Sequence, residues 1–114
     1  MAWYENDGSG NFGQQQIITI DAGYAISVYA ADLDNDGDID VLSASPADNK
    51  IAWYENDGSG NFGIQQNITT SALGATDVYA ADLDNDGDID VLSASLYDNK
   101  IAWYENDGSG NFGQ

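Results

Sequence analysis

The chain has 114 residues, of which 42% are hydrophobic, and a formal net charge of −18 at pH 7 with only two basic side chains. This length and apolar content are sufficient for one folded domain with a core, in spite of the charge. The scarcity of basic residues argues against binding to nucleic acid or to an anionic membrane, because nothing could neutralise phosphates or lipid headgroups. Cations are the partners that this charge favours.

The sequence contains no cysteine and no histidine. It therefore has no disulfide frame, no thiolate metal site and no thiol nucleophile. It also has no basic segment followed by an apolar one and no run of about 18 apolar residues, so we expect neither a signal peptide nor a membrane span within it. Nothing breaks the repeat symmetry to create one special catalytic centre, and we expect no enzymatic activity.

The strongest pattern is an internal repeat with a period of 50 residues. The motif AWYENDGSGNFG occurs at residues 2–13, 52–63 and 102–113. Residues 14–63 and 64–113 differ at only 10 of 50 positions, so either the duplication is recent or the sequence was designed. Periods of about 20 to 50 residues are typical of solenoids and propellers, in which one unit cannot bury its faces without its neighbours.

In chain order, each repeat predicts four short strands separated by turns rich in Gly, Asn and Asp. Strand A is predicted at 26–33 and strand B at 39–44, with the turn NDG between them. Strand C is predicted at 50–56 and strand D at 65–70, with a more apolar copy of strand D at 15–20. Four antiparallel strands per 50 residues form the blade of a β-propeller.

The order of these strands predicts an all-β chain of four-stranded blades with incomplete blades at both ends. Residues 1–25 would supply strands C and D, residues 26–75 a complete blade, and residues 76–114 strands A, B and C. The chain would then open in mid-blade and stop at Gln114, where a last strand D would begin. Since propellers close with about four to eight blades, we expect a head-to-tail ring of identical chains, either a trimer or a tetramer.

The turn between strands A and B reads DLDNDGDID in both copies. Calcium prefers six to eight oxygen ligands, and a turn that directs alternate Asp side chains inward supplies several of them. Because so many carboxylates in one turn would otherwise repel one another, we predict a calcium site in each hairpin rather than a polar turn that merely tolerates aspartates. An EF-hand does not fit, since Ser43 and Ser93 stand where its bidentate Glu is required.

The predicted ligands come from positions 1, 3, 5, 7 and 9 of each hairpin. Position 7 would contribute its backbone carbonyl and the others their carboxylates, while the glycine at position 6 permits the sharp turn. The predicted metal ligands are Asp32, Asp34, Asp36, Asp38 and Asp40 in the first hairpin, and Asp82, Asp84, Asp86, Asp88 and Asp90 in the second.

The aromatic pair of strand C, Trp53 and Tyr54 with their copies, supports two interpretations. Exposed aromatic faces in a groove could stack on sugars. Large aromatic side chains more often fill the space between packed sheets, and we expect this for the Trp positions. Two functions follow for the chain as a whole: a calcium-binding scaffold or protein-interaction module, or a multivalent lectin that binds glycans in repeated aromatic grooves.

The D-x-D-x-D-G-x-x-D hairpin, followed by an aromatic strand and the segment GNFG, resembles the FG-GAP or VCBS type repeat of integrin α-subunit propellers and of many bacterial surface proteins. The resemblance covers essentially the whole chain. It implies a propeller fold and an extracellular or cell-surface location. Calcium is millimolar outside cells, within reach of weak extracellular sites.

Overall fold

The computed structural model describes residues 1–113, which form three antiparallel sheets of two, four and three strands. The strands are β1 (Ala2–Asn6), β2 (Phe12–Ile17), β3 (Ser27–Ala31), β4 (Asp40–Ser45), β5 (Lys50–Tyr54), β6 (Gln66–Thr69), β7 (Ala75–Ala81), β8 (Asp90–Ser95) and β9 (Lys100–Tyr104). Their orders are β1-β2, β3-β4-β5-β6 and β7-β8-β9. The prediction of an all-β, antiparallel chain is confirmed. No helix in the described part of the chain is long and apolar enough to cross a membrane.

The centre of the second sheet shows why these segments form strands. β4 pairs with β5 so that Leu42 lies opposite Trp53 and Ala44 lies opposite Ile51. Aromatic and β-branched side chains fit such a pleated, half-buried surface, and cross-strand pairs of this kind stabilise it. The third sheet repeats the same register between β8 and β9.

Several strand boundaries differ from the predicted ones. β2 covers Phe12–Ile17 rather than 15–20, because its ladder begins directly after the turn, where Phe12 pairs with Asn6, and ends opposite Ala2. β6 is shorter than 65–70, and β3 ends at Ala31 because the acidic hairpin follows at once. Gln114, where a further strand D is predicted to begin, lies outside the described residues.

The second and third sheets pack face to face and form the main core, with β3 and β4 lying against β7. We call the two surfaces in contact the forward face of the second sheet and the backward face of the third. The forward face consists of Leu42, Ala44, Ile51 and Trp53, and the backward face consists of Val78, Ala80 and Val91. Within residues 1–113, the first sheet contributes no buried residue to this core.

Tryptophan side chains join each sheet to the turn of the next one. Trp53 packs edge-on against Phe112, with ring centroids 6.5 Å apart, and also covers Gly110. Trp3 covers Gly60 in the same way. The expectation that these residues fill the space between sheets is confirmed for Trp53, which is buried.

A methyl group at Gly110 should destabilise the fold, because a Cβ there would lie 2.5 Å from Trp53 Cζ2. We expect Gly110→Ala to lower the free energy of unfolding by about 1–3 kcal/mol through overpacking, in addition to the cost of alanine at positive φ. The matched control is Gly10→Ala, since Gly10 also has a positive φ but nothing within 4 Å of its added Cβ in residues 1–113. Thermal melts of the two variants isolate the packing effect, and equal melting temperatures would contradict the contact.

Candidate metal centre

Two acidic hairpins connect the first two strands of the second and third sheets. The first hairpin spans residues 32–39, between β3 and β4, and the second spans 82–89, between β7 and β8. Asn35 and Gly37 have φ of 62° and 92°, which allows the chain to reverse within a few residues. The carboxylates of these hairpins are therefore held in a small volume.

Positions 1, 3 and 5 of each hairpin come together. Carboxylate oxygens of Asp32, Asp34 and Asp36 all lie within 4.8 Å of one another, and those of Asp82, Asp84 and Asp86 form an equivalent cluster. The structure thus contains two acidic clusters that could hold metal ions. This spacing suits a hard cation, which is bound by several carboxylate oxygens at once.

Backbone amides hold the clustered carboxylates in place. The Gly37 amide donates to Asp32 Oδ2 at 3.0 Å, and the Asp38 amide donates to Asp36 Oδ1 at 2.8 Å. The second hairpin has the same bonds, from Gly87 to Asp82 and from Asp88 to Asp86. Hydrogen bonds from backbone amides favour the charged form of a carboxylate and orient it, so the turn itself presents the oxygens to a ligand.

The first cluster contains a carboxylate oxygen that the protein leaves without a hydrogen bond. Asp32 Oδ1 is buried and has no partner among the described residues. Burial and the charge of Asp40 raise the pKa of the nearby Asp34 from 3.8 to about 6. Burial and the charge of Asp86 likewise raise the pKa of Asp84 in the second cluster. An unpartnered oxygen beside carboxylates that resist ionisation is the environment that a bound cation would stabilise.

Position 9 has a role in the fold that the sequence did not indicate. Asp40 is fully buried, and its two carboxylate oxygens accept from the amides of Leu33 and Asn56, each at 2.9 Å. Burial raises the pKa of Asp40, and these hydrogen bonds offset part of that rise. Asp90 makes the equivalent bonds. That Asp40 and Asp90 are metal ligands stays a prediction.

Position 7 directs its side chain away from the cluster, towards the neighbouring loop. The carboxylate of Asp88 accepts from Asn35 Nδ2 of the first hairpin at 2.7 Å, and it lies against Gly108. The carboxylate of Asp38 lies against Gly58 in the same way. This orientation is compatible with the prediction that Asp38 and Asp88 act through their backbone carbonyls, which the structure does not test.

The loop between strands C and D supports each hairpin, and sequence reasoning missed this contact. Asn56 donates through Nδ2 to the carbonyl of Ile39 at 2.9 Å. Its copy Asn106 is buried and donates to Ile89 of its own hairpin and to Leu33 of the neighbouring one. The only sequence signal was the recurrence of NDGSGN in all three copies of the loop.

Comparisons with known proteins agree with this architecture. A family model described as an FG-GAP-like repeat matches residues 1–43, 32–93 and 82–114. The fold is similar to that of an Agrocybe aegerita lectin, whose structure is described as the basis of its specific recognition of non-reducing terminal N-acetylglucosamine. The TM-score is 0.68 with 22% identity, and the alignment covers 99% of this chain but 31% of the lectin chain. No curated protein matches the sequence.

The raised pKa of Asp34 predicts how stability depends on pH without metal. A carboxyl whose folded pKa exceeds its unfolded value contributes stability that is present below that unfolded value, near 3.8, and lost as pH rises through about 6. In EGTA, the melting temperature should therefore rise as pH falls from 7 to about 5. Hydrogen bonds from Asn61 and Ser59 lower the pKa of Asp57 below 3.8. The stability that Asp57 contributes is therefore lost only at a pH below the range from 5 to 7, and it does not disturb this measurement.

Asp34→Asn is the control for this measurement, because it removes the titrating group and keeps the shape of the side chain. In EGTA the variant should be more stable than the wild type at pH 7 and should depend less on pH between 5 and 7. A wild-type melting temperature that falls as pH is lowered from 7 to 5 would contradict the assignment of the raised pKa to Asp34.

Proposed function

The chain belongs to the FG-GAP-like repeat family, and we propose that it is a calcium-binding β-propeller module that serves as a scaffold or a protein-interaction module. FG-GAP repeats imply propeller blades, and the three antiparallel sheets have the strand order of such blades. The observation that carries the calcium assignment is the cluster of Asp32, Asp34 and Asp36, in which Asp32 Oδ1 is buried without a hydrogen-bond partner among the described residues.

Calcium fits this donor set better than other common metals. The described residues of the clusters offer only oxygen ligands, which hard cations prefer, and the sequence has no cysteine or histidine for softer metals. Three converging carboxylates, with the backbone carbonyl predicted from position 7, can approach the six to eight ligands of calcium. Bound calcium would supply the positive charge that lets all three carboxylates stay ionised.

The proposal includes location and assembly. An extracellular or cell-surface position is consistent with calcium sites, because calcium is millimolar outside cells and within reach of weak extracellular sites. The described residues form one four-stranded sheet and two smaller ones, and we propose that copies of the chain close a ring as a trimer or a tetramer. The role is that of a non-enzymatic module.

Calcium should raise the melting temperature, and EGTA should lower it, because a ligand that binds only the folded state stabilises it. The expected gain is about 2.7 kcal/mol per site at a calcium concentration about a hundredfold above Kd. Calorimetry should give two calcium ions per chain, and Asp36→Ala or Asp86→Ala should each remove one.

Asp21→Ala is the matched control, since it removes one exposed carboxylate outside both clusters. It should leave the stoichiometry at two. Melting curves that are identical in calcium and in EGTA would refute the calcium proposal.

A groove beside β9 favours glycan binding as a second candidate function. The groove has a volume of about 340 Å³, and its lining includes Thr69, Ser71, Asp98 and Tyr104. Both carboxylate oxygens of Asp98 are buried without a hydrogen-bond partner among the described residues, although Oδ2 lies 3.6 Å from the ammonium of Lys100. An aromatic ring beside unsatisfied acceptors suits a sugar, which has an apolar face and hydroxyl donors. The fold shared with a lectin is consistent with this candidate.

Asp98→Asn tests the glycan candidate. If hydroxyl groups donate to this carboxylate, the substitution should reduce binding on a glycan array by about tenfold or more, because each lost charged hydrogen bond weakens binding by about 1.5–3 kcal/mol. Asp48→Asn, at the equivalent position of the second sheet, is the control. Arrays with calcium and with EGTA that show no bound glycan would exclude the lectin function.

A further inference from the structure

The two outer faces of the molecule are copies of the two faces that pack against each other inside it. The third sheet exposes Ile101 and Trp103 and half-buries Leu92 and Ala94, and these four residues stand 50 positions after the forward face of the second sheet. The second sheet exposes Val28 and Ala30 and half-buries Val41, which stand 50 residues before the backward face of the third sheet. The molecule therefore carries both halves of its own internal interface on its surface.

Equivalent residues of successive repeats differ in burial, which shows that the outer faces lack a neighbouring sheet. Ile51 is fully buried while its copy Ile101 is 79% exposed, and Val78 is 4% exposed while its copy Val28 is 59% exposed. The local sequence around each pair is nearly the same, so the difference comes from the missing sheet. Apolar surface of this extent on a regular sheet is typical of an interaction site.

The first sheet covers the back of the second sheet only in part. A cavity of about 500 Å³ lies between them, and its lining includes Trp3, Val28 and Val41. In the internal interface the corresponding space is filled by strands of types A and B, but the first sheet contains only β1 and β2. The cavity therefore marks the place of two further strands.

The free edge of β9 also has a defined partner. Among residues 1–113, β9 pairs only with β8, whereas its copy β5 also pairs with β6 through Trp53 and Gln66. β2 makes the same pair with β1, through Trp3 and Gln16. Residues 2–14 and 102–114 are identical, so β9 can pair with β2 in the register that β1 uses.

We propose that the third sheet of one chain docks on the second sheet of another copy and that its β9 takes the place of that copy's β1. Strands β7, β8 and β9 and the second copy's β2 then form a complete four-stranded sheet. Trp103 covers Gly60 of the second copy, as Trp53 covers Gly110 within one chain. The interface gives a structure to the ring closure proposed above and rests on that proposal.

The incoming β9 displaces β1 because it brings more contacts with it. Exchange of the two strands preserves the ladder to β2, since their sequences are the same. β1 has no further strand beside it within the described residues, whereas β9 arrives with β7 and β8, which fill the cavity and cover Val28. The exchange therefore adds buried apolar surface and replaces the ladder to β2 with an equivalent one, while the bonds that join Met1 to Ile18 and Thr19 are broken.

The polar contacts of the internal interface extend the match. Asn106 donates to the carbonyl of Leu33 in the neighbouring sheet, and Asn35 donates to Asp88. In the assembly, Asn56 of the second copy would donate to the carbonyl of Leu83 in the first copy. Asn85 of the first copy would donate to the carboxylate of Asp38 in the second copy. Asn56 is less buried than Asn106 in the single chain, which agrees with a contact still to be made.

Single charged substitutions on either face should prevent assembly. Sedimentation velocity in calcium should show a ring for the wild type and a folded monomer for Ile101→Asp and for Val28→Asp, because an unpaired carboxylate would be buried in the interface. Both residues are mostly exposed in the single chain, so the variants should fold. Ile64→Asp is the matched control, since Ile64 is exposed outside both faces, and it should assemble like the wild type.

An equimolar mixture of Ile101→Asp and Val28→Asp should form a heterodimer, because one intact forward face meets one intact backward face. A mixture that stays monomeric would refute the head-to-tail interface, as would a monomeric wild type or an Ile64→Asp variant that fails to assemble.

Calcium stoichiometry, measured on the monomeric Ile101→Asp variant, separates the interface proposal from the calcium proposal. Two bound ions without wild-type assembly would overturn the interface alone, and assembly without bound calcium would overturn the metal proposal alone.

Strand exchange makes opposite predictions for two copies of the same residue. Trp103→Ala should raise the concentration needed for assembly by about tenfold or more, since a large aromatic contact is lost. Trp3→Ala should lower that concentration, because it weakens the strand that must leave. A higher concentration for Trp3→Ala would show that β1 stays in place and would refute the exchange.

Discussion

The packing of one sheet against the next is the constraint on which this structure depends. The second and third sheets are each apolar on both faces, so burial on one side leaves the other side exposed. Val78 and Leu92 lie on opposite faces of the third sheet, and only the first of them is buried. A chain of this kind gains stability from contacts between neighbouring repeats rather than from a single closed core, as expected of repeat proteins.

The acidic hairpins lie where the second and third sheets meet, so the loops that carry the acidic clusters also carry contacts between the sheets. Asn35 belongs to the first hairpin and bonds to Asp88 of the second and to the carbonyl of Gly108. Asp40 and Asp90 fix the base of each hairpin to the loop that follows strand C. A metal ion that orders one hairpin would thereby also order the contact between sheets.

The sequence predicts the strand order and the acidic clusters because both depend on short-range patterns. Alternation and turn residues define the strands, and the spacing of Asp32, Asp34 and Asp36 within a tight turn brings their carboxylates together. The roles of Asp40 and Asn56 could not be predicted, because they depend on amides and carbonyls that pairing brings near. The different burial of Ile51 and Ile101 is likewise invisible in the sequence, since the segments around them are identical.

The connectivity of the sheets also has a consequence for how the chain folds. Every strand pairs with the strand next to it in sequence, so the ladders of each sheet close over short loops and should form quickly. Docking of one sheet on another comes later and brings together segments 50 residues apart that resemble each other closely. Such near-identity allows a strand to pair with the wrong copy during synthesis or refolding, which is a characteristic kinetic trap of repeat proteins.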